Sequence, residues 1–157
     1  MTFSLTSTAF SEGNVIPAEH TCDGTDRSPP LAWTGVPKGA LTLALIADDP
    51  DAPAGTFTHW VLYDIPATLG ALPENVSRAD APKELGGGVQ GKNDSRKPGY
   101  AGPCPPPGPA HRYVFKLYAL ATKLGLKAGA SKQEVERAMA AHVLATAQLM
   151  GRYGRRR

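Results

Sequence analysis

The sequence predicts a mainly β protein with a C-terminal helix, and three observations carry that reading. The 157 residues include 17 Gly and 15 Pro without any short period, a surplus that points to many turns and few long helices. Three apolar stretches, residues 41–47, 59–65 and 113–120, have the length of strands and are bounded by turn-forming residues. Against them stands one clear helix start, Ser131-Lys132-Gln133-Glu134, in which each of the serine and glutamate side chains can accept from the other's backbone N–H. A chain of this length buries roughly 70% of the surface its unfolded form exposes. Residues 1–157 are therefore expected to form a single domain, with 152–157 as a solvated basic tail and no metal or disulfide required for folding.

In chain order, residues 3–7 alternate apolar and polar side chains as a half-buried strand does, and Ile16-Pro17 suits the start of an edge strand. Cys22-Asp23-Gly24 is a turn signal. The paired prolines of Ser28-Pro29-Pro30-Leu31-Ala32-Trp33 exclude helix and favour an extended approach to a buried indole. Residues 41–47 are apolar at almost every position, the pattern of a central strand covered on both faces. The next strand should place His59, Val61 and Tyr63 on one face and Trp60 and Leu62 on the other. Residues 79–102 are rich in Gly, Pro, Lys and Asp and read as a long functional or mobile loop; Gly86-Gly87-Gly88 is not a phosphate loop, because no Gly-Lys-Ser/Thr follows it. In the third strand His111, Tyr113, Phe115 and Leu117 share one face, opposite Arg112, Val114, Lys116 and Tyr118. The closing helix is expected to run from the capping box through Val135, Met139, Val143 and Met150 to Gly151, with His142 as a structural histidine among its core positions.

Composition excludes several function classes. The net charge of +3 is mild and inflated by Arg152 and Arg155 to Arg157, so nothing supports a nucleic-acid partner. The start Met1-Thr2-Phe3-Ser4-Leu5 lacks the basic and apolar regions of a secretion signal, and no stretch approaches the ~18 apolar residues of a membrane span. A soluble, cytoplasmic protein is expected. Cys22 and Cys104 are too few and too far apart for a zinc-knuckle pattern.

What remains is a repeated arrangement: two prolyl loops that each end in a histidine opening a strand. The first is Asp48-Asp49-Pro50-Asp51-Ala52-Pro53, leading to His59-Trp60-Val61. The second is Gly102-Pro103-Cys104-Pro105-Pro106-Pro107-Gly108, leading to His111-Arg112-Tyr113. Proline fixes its own φ and pushes the preceding residue toward extended conformations, so the carboxylates of Asp49 and Asp51 are held in place. Stiffness of this kind is useful mainly where side chains must be positioned.

These segments, in this order and approximate spacing, resemble the phosphatidylethanolamine-binding protein family, also called the Raf kinase inhibitor protein family. Cys22-Asp23-Gly24, Ser28-Pro29-Pro30-Leu31-Ala32-Trp33 and Ala141-His142-Val143-Leu144-Ala145 resemble its bacterial and archaeal branch. The resemblance spans nearly the whole chain. It implies an antiparallel β-sandwich-like fold with Greek-key connections and a small pocket at one end for phosphate-like anions and phospholipid head groups. Carried over by position, the ligand-binding residues are Asp49, His59, Gly102, Pro106, His111 and Tyr113; no cofactor is implied. Arg112 falls on the opposite face and is assigned to ion pairing within the scaffold. The loop before His59 is shorter than in eukaryotic relatives, which argues against kinase inhibition through the same surface. The resemblance also places Cys22 and Cys104 near the pocket end, where a disulfide between them is an open alternative to two free thiols, and a homodimer is plausible by analogy.

The chemistry suits such a ligand. Two imidazoles and a phenol facing one cavity can donate to an oxyanion, and Asp49 can orient a histidine or pair with an ammonium, so both signs of a zwitterion are catered for. The reading is thus a non-enzymatic binding module for a small anionic or zwitterionic ligand, with regulation of a partner protein as a further expected role. Three alternatives stand beside it: an inhibitor of a protease or kinase; a hydrolase with Cys104 as nucleophile and His59 or His111 as base; and a zinc site of Asp49, His59, His111 and Cys104.

Overall fold

The computed structural model describes residues 2–156. Strands β1 (Ser4–Thr6), β2 (Leu31–Thr34) and β5 (Ala71–Leu72) form a small antiparallel sheet in the order β1-β2-β5. The larger sheet holds β3 (Thr42–Asp49), β4 (Phe57–Pro66), β6 (Val89–Gln90), β7 (His111–Leu120) and β8 (Val143–Tyr153), in the order β6-β4-β3-β7-β8, all antiparallel. After β4 the chain passes through β5 and β6 before β7 returns to lie beside β3, a crossover of Greek-key type.

The apolar run 41–47 explains the centre. Leu43, Ala44, Leu45 and Ile46 of β3 are buried on both faces, because each face of the large sheet is covered by a different layer. On the inner face Leu43, Leu45 and Ala47 pack with Trp60, Leu62, Phe115 and Leu117 against Leu5, Leu31, Trp33 and Leu72 of the small sheet, which makes the molecule a sandwich. On the outer face Ala44, Ile46, Val61 and Tyr63 pack under Val135 and Met139 of α1 (Lys132–Met139). Both indoles find polar partners at the core edge: Trp33 Nε1 donates to Leu69 O (2.7 Å) and Trp60 Nε1 to Gln90 Oε1 (2.9 Å).

Four expectations need correction. The helix begins at the capping box, with Ser131 Oγ accepting from Glu134 N, but it ends at Met139, and residues 143–153 are a strand rather than a helix. The helical spacing of Val135, Met139 and Val143 breaks there, while Ala145, Ala147 and Leu149 alternate inward with Thr146 and Gln148 outward, and pairing along the length of β7 overrides the helix propensity of Ala, Leu and Gln. The helix is therefore not the last element, and His142 is exposed in the link between helix and strand instead of packed on a helix. Ile16 is fully buried but belongs to no strand; Ile16 N donates to Arg152 O (2.8 Å) along the edge of β8.

The basic tail is exposed, as expected, but its backbone is tied into the fold. Arg152 lies within β8, Arg155 pairs with Asp23 (3.0 Å), and Arg155 O accepts from Gly108 N (3.0 Å); Arg157 falls outside the described residues. Residues 79–102 are likewise bound into the fold, through β6, a 3-10 turn at Lys83–Leu85 and the buried side chains of Gln90 and Asn93. Gln90 Nε2 donates to Ser77 O and Ala79 O, and Asn93 Nδ2 to Gly99 O. That anchoring carries Ala101 and Gly102 to the end of the sandwich where β3 ends and β4 and β7 begin.

Candidate ligand-binding site

At that end the corner after β3 is clamped from two sides. Asp49 Oδ1 accepts from Asp51 N (2.8 Å), a turn of the kind aspartate favours before proline. Asp51 in turn receives Arg112 Nη2 (2.8 Å), Arg112 Nε (3.0 Å) and Arg112 N (2.9 Å), so the corner is tied to the first residues of β7. Arg112 thus pairs within the scaffold, and its hydrogen bonds hold the Asp51 carboxyl far below its ordinary 3.8.

One residue before Arg112, on the other face of β7, His111 Nδ1 lies 2.7 Å from Asp49 Oδ2. A carboxylate can only accept, so Nδ1 carries a proton and Nε2 is the polar atom left for a ligand. Tyr113, two residues on, shares that face. Its ring stands nearly parallel to that of His111, with centroids 6.4 Å apart. The Tyr113 hydroxyl is buried without a hydrogen-bond partner among the described residues, and burial followed by the nearby Asp49 carboxylate pushes its pKa well up.

His59 reaches the same place by a different route. Strict alternation puts it on the outer face with Val61 and Tyr63, yet the β3–β4 register shifts between Ala47, opposite Trp60, and Asp48, opposite Thr58. This bulge leaves His59 as the extra residue and turns it to the side of Phe57 and Tyr113, with ring centroids 4.8 and 5.3 Å away. His59 Nδ1 donates to Ala101 O (2.6 Å), which orients Nε2 as its remaining polar atom. Burial, partly offset by that hydrogen bond and by Asp49, lowers the His59 pKa from its ordinary 6.5.

The fourth wall is the glycine-proline loop. Gly102 N donates to Asp26 Oδ1 (2.9 Å), and a Cβ at Gly102 would collide with that carboxylate and with His20 O. Glycine is required here for close approach, not for its backbone freedom. Cys22 and Cys104 are joined by a disulfide, with Cα atoms 5.4 Å apart, and Cys22 N donates to Pro103 O (3.1 Å). The loop is therefore fastened to the segment that carries Asp26.

Together these elements enclose a cavity of about 320 Å³, large enough for a head group rather than a whole lipid. Asp49, His59, Gly102, Pro106, His111 and Tyr113 all line it. The sequence reading missed Asp26, Phe57 and the Ala52-Pro53 side of the corner, which line it as well. Asp26 is the consequential omission: burial raises its pKa from the ordinary 3.8, against the lowering effect of its bond from Gly102 N. Its only sequence signal was its place in the polar turn between Cys22 and Ser28.

With both sulfurs in the disulfide, Cys104 offers no thiolate, and this corrects the two alternatives that needed one, the nucleophile and the four-ligand zinc site.

A two-sheet sandwich with a small cavity beyond its strand ends is the architecture here, and comparison with known proteins agrees with that fold. The sequence profile of the family described as phosphatidylethanolamine-binding protein matches residues 6–154, and the chain belongs to that family. A UPF0098 protein of Methanothermobacter thermautotrophicus is 53% identical over 152 residues, covering 97% of this chain and 99% of its own. Another from Aquifex aeolicus is 50% identical over 151 residues, covering 95% and 86%. Among solved structures, a phosphatidylethanolamine-binding protein homolog from Chlamydia trachomatis superposes with a TM-score of 0.88 at 39% identity, covering 98% of this chain and 97% of its own. E. coli YbcL, described as a new member of the mammalian family, does so with a TM-score of 0.90 at 37% identity, covering 97% and 98%.

Proposed function

We propose that the cavity binds a small oxyanion, a phosphate or the phosphomonoester of a head group, and that the protein is a binding module rather than an enzyme. The observation that carries this reading is the Tyr113 hydroxyl, buried without a partner in a cavity shared with His59 and His111. A buried, unpaired hydroxyl costs about 1–3 kcal/mol, and a ligand oxygen would remove that cost. In the singly protonated rings of His59 and His111, Nε2 accepts from a protonated ligand oxygen, and on protonation it becomes a further donor. Asp26 and Asp49 on the same walls favour a ligand that also carries a cation, as a phosphoethanolamine does.

The disulfide supports the binding reading over a cysteine hydrolase. The histidines are committed through Nδ1 to Ala101 O and Asp49, and the cavity's sulfurs are bonded to each other. No thiolate faces them among the described residues.

Calorimetric titration with phosphate, phosphoethanolamine and a neutral alcohol tests the proposal. Saturable binding of the first two, lost in His111→Ala, is expected; binding unaffected by that substitution would remove the site assigned here.

No helix among the described residues is long and apolar enough to cross a membrane. The cytoplasmic setting that belongs to this reading stands against the Cys22–Cys104 bond, since thiols are kept reduced in most cytoplasms and disulfides persist there chiefly in hyperthermophiles. Alkylation of thiols in freshly broken source cells decides between the two, with blocked cysteines contradicting the cytoplasmic placement outside a thermophile.

A further inference from the structure

Behind the cavity wall lies a second cluster that the oxyanion site does not use. His20 ends the 3-10 turn Ala18–His20 and is fully buried. Its Nδ1 lies 2.9 Å from Arg27 O, a pure acceptor, so Nδ1 carries a proton and Nε2 is the atom free to offer a lone pair to an ion. Nε2 has no hydrogen-bond partner among the described residues, yet it faces Glu19 Oε1 and Glu74 Oε1, each 3.7 Å away. Three electron-pair donors thus converge, all within 4.8 Å of one another.

That spacing is too long for a hydrogen bond and close to what a shared cation imposes. Ligands about 2.1 Å from a tetrahedral ion are about 3.4 Å from each other, within a few tenths of an ångström of the two His20–glutamate distances, while the two glutamate oxygens lie within 4.8 Å of each other. The surrounding contacts are those that metal ligands commonly have. The backbone carbonyl of Arg27 fixes the imidazole tautomer, while its guanidinium holds both carboxylates from outside, through Nε to Glu74 Oε1 (2.8 Å) and Nη2 to Glu19 Oε2. One guanidinium against two carboxylates leaves a net negative charge beside the lone pair. The glutamates are 46% and 41% exposed, which gives an ion a route in and a water for its fourth position.

We propose that Glu19, His20 and Glu74 form a site for a divalent ion of the zinc class, distinct from the oxyanion cavity and structural in role. The ion would fasten the 18–20 turn to residue 74. His20 O accepts from Tyr100 Oη (2.6 Å) and abuts Gly102, so the ion would brace the wall that carries Asp26 and the disulfide.

The test uses untagged full-length protein stripped with a chelator and titrated with Zn²⁺, read by calorimetry, elemental analysis and Tm. One equivalent is expected, with Tm rising by about 5–10 °C at a hundredfold excess over Kd. Glu19→Gln and Glu74→Gln change partly exposed residues and should fold, and each should weaken zinc at least about tenfold. His59→Ala/His111→Ala, which strips the oxyanion cavity of its imidazoles, should keep the full equivalent. Absence of binding at submillimolar zinc, binding indifferent to both glutamate variants, or binding lost with His59 and His111 would each overturn the proposal. None of these outcomes depends on whether the cavity binds an anion.

Discussion

His111 Nδ1 and Asp49 Oδ2 lie 2.7 Å apart, and they come from the two prolyl loops that the sequence repeats, so the pair joins the end of β3 to the start of β7. Both side chains are largely buried, at 12% and 5% exposure. His111→Ala leaves Asp49 with the Asp51 N–H and without its imidazole partner, which should lower stability by about 1–3 kcal/mol. Cooperative unfolding should survive, while the Tm increase produced by phosphate disappears. Chemical denaturation with and without phosphate measures both effects; a phosphate response that persists would detach His111 from binding.

Tyr113→Phe separates binding from stability. The hydroxyl has no hydrogen-bond partner among the described residues, so its removal should leave stability unchanged or raise it by up to about 1 kcal/mol. Oxyanion affinity should nevertheless fall roughly tenfold, the loss of one hydrogen bond to a charged group. Destabilisation with unchanged affinity would make the hydroxyl structural.

The pH dependence follows from His59, whose pKa burial lowers from 6.5. Between the lowered value and 6.5 the unfolded chain binds more protons than the folded one, so stability is complete above that window and is lost as pH falls through it. A bound oxyanion pairs with the imidazolium and opposes the loss, and protonation of Asp26, whose pKa burial raises, acts in the same direction. Sulfate, which does not titrate in this range, should therefore raise Tm more at about pH 5.5 than at about pH 7.5. His59→Gln should flatten the response; an equal shift at both pH values in the unaltered protein would contradict the assignment.

Asp26→Asn tests the preference for a zwitterion. The amide oxygen can still accept from Gly102 N, so the wall stays in place while the charge is lost. Phosphoethanolamine should weaken several-fold relative to inorganic phosphate. A ratio that does not move would leave the ammonium without a partner at this residue.

Reduction of Cys22–Cys104 should lower stability substantially, because the bond closes a loop with a sequence separation of 82. In the chain-entropy view such a loop is worth roughly 4–5 kcal/mol. Thiol counting on denatured, unreduced protein should find none free in a monomer, and two would remove the bond.

Much of the site was legible because proline and strand patterns act locally. The rigid corner at Asp49, the face shared by His111 and Tyr113, and the outward Arg112 all follow from residues within a few positions of one another. His59 was placed in the right region but on the wrong face, because the bulge opposite Ala47 and Asp48 is set by pairing between strands and leaves no period in the sequence. Asp26 was missed because its role depends on contact with Gly102, 76 residues away. Residues 143–150 were read as helix because Val143 and Met150 continue the helical spacing of Val135 and Met139, and only the presence of β7 alongside makes the alternation of Ala145, Ala147 and Leu149 decisive.

One oxyanion is expected to sit among Tyr113, His59 and His111. A crystal structure of the protein soaked with phosphoethanolamine at about pH 6 tests it most directly. The expected result is a phosphoryl group within hydrogen-bonding distance of Tyr113 Oη and of both Nε2 atoms, with the ammonium toward Asp26. Water alone in the cavity at saturating ligand, or a phosphoryl group bound elsewhere, would contradict it.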